Sequence, residues 1–117
     1  MQQPDKIDRI VRGLLAEAQR DYVGLWHIAM VVRRDIGLID SDEVRIEALM
    51  IVGRLLEGGL SPGDYTRSGF EFWGENDVRA VLARIDREWV PDKGDPSLGN
   101  PICWFAPQPT KSDNRNR

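Results

Sequence analysis

Residues 55–89, LLEGGLSPGDYTRSGFEFWGENDVRAVLARIDREW, constrain the fold more than any other part of this chain. An apolar helical run stops at Gly58-Gly59, where glycine supplies the left-handed residue on which helices commonly end. Pro62-Gly63 and Ser68-Gly69 read as turn signals. Residues 60–65 and 70–73 then form the arms of a β-hairpin turning over Thr66, Arg67, Ser68 and Gly69, with Phe70 and Phe72 on one face and Glu71 on the other. Asn76 stands where an N-cap belongs. Beyond it Val78, Val81, Leu82, Ile85 and Trp89 recur on one side of a helix that Pro91 stops.

Three helices precede that stretch. Ile7, Ile10, Val11, Leu14, Leu15 and Ala18 fall at helical spacing, with Asp5 as the expected N-cap. A second helix is expected over residues 21–36, turning Tyr22, Leu25, Trp26, Ala29, Val32 and Ile36 to the core and closing at Gly37. The third opens at Asp40 or Ser41, where Asp40 and Glu43 have the spacing of a capping box, and buries Val44, Ala48, Leu49, Val52, Leu55 and Leu56. At the far end ICWFA, residues 102–106, is short, apolar and bounded by prolines, and reads as a strand that pairs with the hairpin. Leu55, Phe72, Leu82 and Trp89 are expected to be largely buried.

A chain of 117 residues accommodates one domain with an ordinary core, here placed at residues 1–106, and the polar, proline-bearing residues 107–117 are expected to be a disordered tail. The net charge of -3 disfavours broad attraction to phosphate backbones or anionic lipid. Cys103 is the only cysteine, so no internal disulfide forms and a reducing, cytoplasmic setting is expected. Asp5 and Asp8 interrupt the N-terminal residues, which resemble neither a secretory signal nor a membrane span.

Three helices, a tight hairpin, a fourth helix and a late strand make an α+β chain with winged-helix-like connectivity. The phrases LLEGGLSPGD, GFEFW, ARIDREW and PICWF also resemble a family of small, largely uncharacterised bacterial proteins with a winged-helix-like body. Some members are associated with immunity to toxins. The resemblance covers roughly residues 25–106 and implies a fold and a class of partner. Its motifs are apolar and glycine residues, so they carry over no binding or catalytic position.

No catalytic set can be assembled. His27 is the only histidine, no nucleophile motif frames Ser61 or Ser68, and the chain reads as non-enzymatic. One histidine and one cysteine far apart do not make a metal site, and Asp92, Asp95 and Asn100 lack the spacing of a calcium-binding loop. No cofactor is expected. The glycines at 58, 59 and 63 lack the Lys-Ser/Thr ending of a phosphate-binding loop.

A binding role remains. Asp40, Asp42, Glu43 and Glu47 gather at the start of the third helix, suited to the basic groove of a nuclease-type toxin, since opposed charge speeds encounter. All four tryptophans are large enough to be core residues and Trp89 is phased with the core, while Trp73 and Trp104 sit at strand ends where an edge left exposed would join a binding surface. The alternative is a DNA-binding regulator, but the third helix offers only Arg45 and Arg54, and the hairpin tip only Arg67, for the phosphate and base contacts this needs.

Overall fold

The computed structural model describes residues 3–75 and 77–108. In chain order it contains α1 (Gln3–Ala18), β1 (Val23–Gly24), α2 (Leu25–Val31), α3 (Ser41–Glu57), β2 (Leu60–Thr66), β3 (Gly69–Phe72), α4 (Val78–Glu88) and β4 (Trp104–Pro107). This is an α+β arrangement of four α-helices and one antiparallel sheet with the strand order β1-β4-β2-β3.

Several of the expected elements form where local chemistry places them. Gly37 terminates the second helical segment at φ 88°, a backbone region that costs glycine little. Asp40 caps α3, its carboxylate accepting the Glu43 backbone N–H at 3.1 Å. Gly59, at φ 106°, supplies the left-handed residue after α3. The hairpin turns between Thr66 and Gly69, and Thr66 Oγ1 stabilises it by accepting from Ser68 N and donating to Gly69 O.

Other boundaries differ. Asp5 lies inside α1 and is not its N-cap. Residues 21–24 are not helical: Val23 and Gly24 pair with Phe105 and Trp104, and α2 starts only at Leu25. The helical periodicity of Tyr22, Leu25 and Trp26 is overridden because β4 offers backbone partners to this segment. After Val31 the helix widens to a π-type turn over Val32–Ile36, closed by Gly37 N–H donating to Val32 O at 3.1 Å. Asp77, not Asn76, caps α4 by accepting from Ala80 N; Asn76 lies outside the described residues.

Pro62-Gly63 is also not a turn but the middle of β2. A proline is tolerated there because its carbonyl, and with it the position of the missing N–H, points to the β3 side of the strand, where the C=O accepts from Trp73 N just past the end of β3. The ladder to β4 therefore loses no donor. The last strand begins at Trp104 and not at Ile102, which stands at φ 64° while Cys103 N–H reaches back to Pro101 O. That tight turn delivers the chain into the gap between β1 and β2. Pro107, assigned to the tail, pairs with Leu60, and residues 109–117 of that expected tail lie outside the described residues.

One side of the sheet meets the helices. Val23, Leu60 and Phe105 pack into a single cluster with Val11 and Leu14 of α1, Leu25 and Ile28 of α2, Val44, Ile51, Val52 and Leu55 of α3, and Val81 and Ile85 of α4. Trp89 closes this core at 2% exposure. Leu82 is only partly buried, and Phe72 is 37% exposed, contrary to the expectation for a core residue, because it stands on the other face of the sheet.

Candidate functional site: an aromatic sheet face

Strand alternation sends Val23, Leu60 and Phe105 inward, and the residues next to them outward. Register then aligns the outward set: Gly24 lies opposite Trp104, Trp104 opposite Gly63, Gly63 opposite Phe72, and Tyr65 opposite Phe70. Tyr22, just ahead of β1, joins them by stacking on Phe70 with ring centroids 4.6 Å apart and meeting Tyr65 edge-on at 5.3 Å. Tyr65 meets Trp104 at 6.2 Å, and Trp104 meets Trp26 of α2 at 6.5 Å, both at steep angles. Phe70 and Phe72 complete the row at 4.9 Å.

Two glycines make this layer of rings possible. A Cβ on Gly63 would come within 2.6 Å of the Phe70 ring, and one on Gly24 would strike the Trp26 indole nitrogen. The rings therefore lie down on bare backbone. They remain accessible from outside: Tyr65 is 62% exposed and Tyr22 36%. Such a contiguous aromatic patch is the composition that protein interfaces concentrate at their energetic centres.

Beside the rings a cleft of about 370 Å³ is lined by Tyr22, Trp26, Tyr65 and Trp104, and by Glu17, Asp21 and His27. Asp21 accepts its neighbour's N–H, Tyr22 N to Oδ1 at 2.8 Å. No arginine or lysine lines this cleft among the described residues.

The two expected tryptophan contacts separate onto different sides. Trp104 stands in the aromatic face, but Trp73 packs against the core cluster. Its Nε1 donates to Asp64 at 3.2 Å, and the Arg84 guanidinium lies 3.5 Å above its ring while donating to Glu88. Trp73 thus already has its cation.

The acidic residues at the start of α3 do not form one free patch. Asp40 is occupied as the cap, and Asp42 lies 3.5 Å from Arg45, which also binds Asp86 of α4. Glu43 is exposed and Glu47 half-buried. Arg54 pairs with Asp8 of α1 at 2.6 Å, and the Arg54 hydrogen bond holds the Asp8 carboxyl below its usual range. With its arginines engaged, α3 presents Ile46 and Met50 to the outside.

Tyr22, Trp26, Tyr65, Phe70 and Phe72 were not legible as a surface in the sequence. The available signal was the alternation of Phe70 with Phe72, which identified one face of the hairpin but not which way it pointed.

Burial pushes the thiol of Cys103 far up, with Asp64 and Glu88 adding to the effect, so it offers no nucleophile at neutral pH. Among the described residues no three His, Cys, Asp or Glu side chains gather in a way that could hold a metal ion, and no helix is long and apolar enough to cross a membrane. Compared with known proteins, the chain matches no family model, no curated protein and no solved structure.

Proposed function

We propose that this protein is a non-enzymatic binding domain that engages another protein through the aromatic face of its sheet. The observation that carries the reading is the unbroken run of Tyr22, Trp104, Tyr65, Phe70 and Phe72 across the strands, accessible and bordered by the carboxylates of Glu17 and Asp21. Aromatic side chains bring large contact area at low entropic cost, whereas the neighbouring carboxylates repel a phosphate backbone. The order α1-β1-α2-α3-β2-β3 supports a winged-helix-like body in which the hairpin is the wing. A nuclease-type toxin is the partner class favoured by the family resemblance, and a basic partner of this sort suits the acidic margin.

In a DNA-binding winged helix, α3 would be the recognition helix. Its outward residues Ile46 and Met50 are apolar, and Arg45 and Arg54 are held by carboxylates, which supports the protein-binding reading over the regulator.

The test is capture of the partner from the native host, followed by affinity measurement with the purified pair. Tyr65→Ser combined with Phe72→Ser weakens binding by about tenfold or more, as loss of interface aromatics does. Asp42→Lys combined with Glu43→Lys slows association modestly, less so as salt is added. Equal affinity for the wild type and the double aromatic variant would overturn the proposal. Sequence-selective DNA binding at physiological salt that requires Arg45 and Arg54 would establish the regulator instead.

A further inference from the structure

We infer that the cleft between Tyr22, Trp26, Tyr65 and Trp104 is the receptor for one arginine side chain presented by the partner protein, with Glu17 and Asp21 as its counter-charges. The inference rests on the protein-binding reading and specifies what that face recognises.

Three ring pairs around the cleft meet at steep angles: Tyr22 with Tyr65 at 66°, Tyr65 with Trp104 at 64°, and Trp104 with Trp26 at 77°. Rings set at such angles do not stack into one slab, so the wall they form offers ring faces as well as edges, and a ring face attracts a cation. The carboxylates of Glu17 and Asp21 line the same space, and neither forms an ion pair among the described residues. A volume of about 370 Å³ admits a guanidinium together with its methylene stem.

Arginine fits this combination better than lysine. Its guanidinium is planar, stacks on aromatic rings, sheds water more readily than an ammonium, and matches a carboxylate with two donors. The protein already uses that combination elsewhere. Arg84 lies over Trp73 and donates to Glu88 with the same three components, ring, guanidinium and carboxylate. In the cleft, rings and carboxylates are present, and no described residue of the chain supplies a guanidinium to its lining.

The probe is the capped tripeptide acetyl-Gly-Arg-Gly-amide, titrated against the intact chain while the indole N–H resonances of all four tryptophans are followed by NMR. Saturable shifts are expected at Trp26 and Trp104, with Trp73 and Trp89 unmoved. The citrulline peptide, neutral but of the same shape, binds on the order of tenfold more weakly, and the lysine peptide is intermediate. Glu17→Gln with Asp21→Asn, near-isosteric changes at a half-buried and an exposed position, weakens the arginine peptide several-fold without unfolding the chain, and Trp104→Leu abolishes the shift at Trp26. Equal binding of the citrulline peptide, or no saturable shift at Trp26 and Trp104, overturns the inference. If the peptide fails while capture of the partner still depends on Tyr65 and Phe72, the arginine receptor falls and the docking face stands. If capture is indifferent to Tyr65 and Phe72, the docking face itself falls.

Discussion

Gly63 on β2 lies under the ring of Phe70 on β3, so close that a Cβ at residue 63 would sit 2.6 Å from Phe70 Cε2 and 2.5 Å from the carbonyl oxygen of Glu71. The second of these obstacles is backbone and cannot swing aside. The glycine is therefore part of the surface: its missing side chain lets an aromatic ring lie flat on the sheet between Trp104 and Phe72, its two cross-strand neighbours.

Gly63→Ala should accordingly destabilise the fold by about 1–3 kcal/mol, the usual range for overpacking a tight site. At Gly13, in the middle of α1, nothing lies within 4 Å of the place an alanine methyl would take. Gly13→Ala should stabilise by about 0.5–1 kcal/mol, since alanine loses less backbone freedom in a helix. Urea denaturation midpoints for both variants check the opposite signs. Equal shifts for the two would contradict this difference in packing.

Arg33 ties the loop after α4 to the helices. Its Nε donates to Asp95 Oδ2 at 2.6 Å, Nη2 to Oδ1 at 3.2 Å, and Nη1 to the Ile39 carbonyl at 2.6 Å. The pair is about a quarter to a third exposed, so its strength lies between that of a surface ion pair and a buried one. Asp95→Asn should cost about 1–2 kcal/mol. Hydrogen exchange should show faster opening around residues 94–100 than in α3, and unchanged exchange there would mean that the loop is held by other contacts.

Trp89 seals the end of α4 against the core. Trp89→Ala should cost about 3–5 kcal/mol, the range for truncating a large buried aromatic. Trp89→Phe should cost less than half of that, because the buried indole nitrogen has no acceptor among the described protein groups and little polar bonding is lost. Chemical unfolding measures both, and a loss below about 1 kcal/mol for the alanine variant would place Trp89 outside the cooperative core.

Cys103 is fully buried, and its raised pKa has a stability consequence with a definite sign. Above the ordinary thiol value of 9.0 the unfolded chain releases the proton while the folded chain keeps it. Stability is thus intact below that pH and falls as pH rises above it, by at most about 1.4 kcal/mol per unit. Unfolding curves from about pH 8 to about pH 10.5 should show a steeper decline for the wild type than for Cys103→Ala. At neutral pH a thiol reagent should label Cys103 only at the rate of unfolding.

What the sequence determined by itself was local. Gly37, Asp40, Gly59 and the Thr66–Gly69 turn act through their own backbone and nearest neighbours, so the helix ends and the hairpin could be read without knowing the rest of the chain. The stripes of α1, α3 and α4 followed from periodicity, because each faces one core. The tertiary structure decided everything that depends on partners distant in sequence. Val23 and Gly24 are a strand only because Trp104 and Phe105 arrive some eighty residues later to pair with them. Pro62-Gly63 looked like a turn because local propensity cannot register the two strands flanking it. The same limit hid the aromatic face. Phe72 and Trp104 are apolar residues like any in the core, and only the sheet's register, with its inner side already filled by α1, α3 and α4, turned them outward beside Tyr22 and Tyr65.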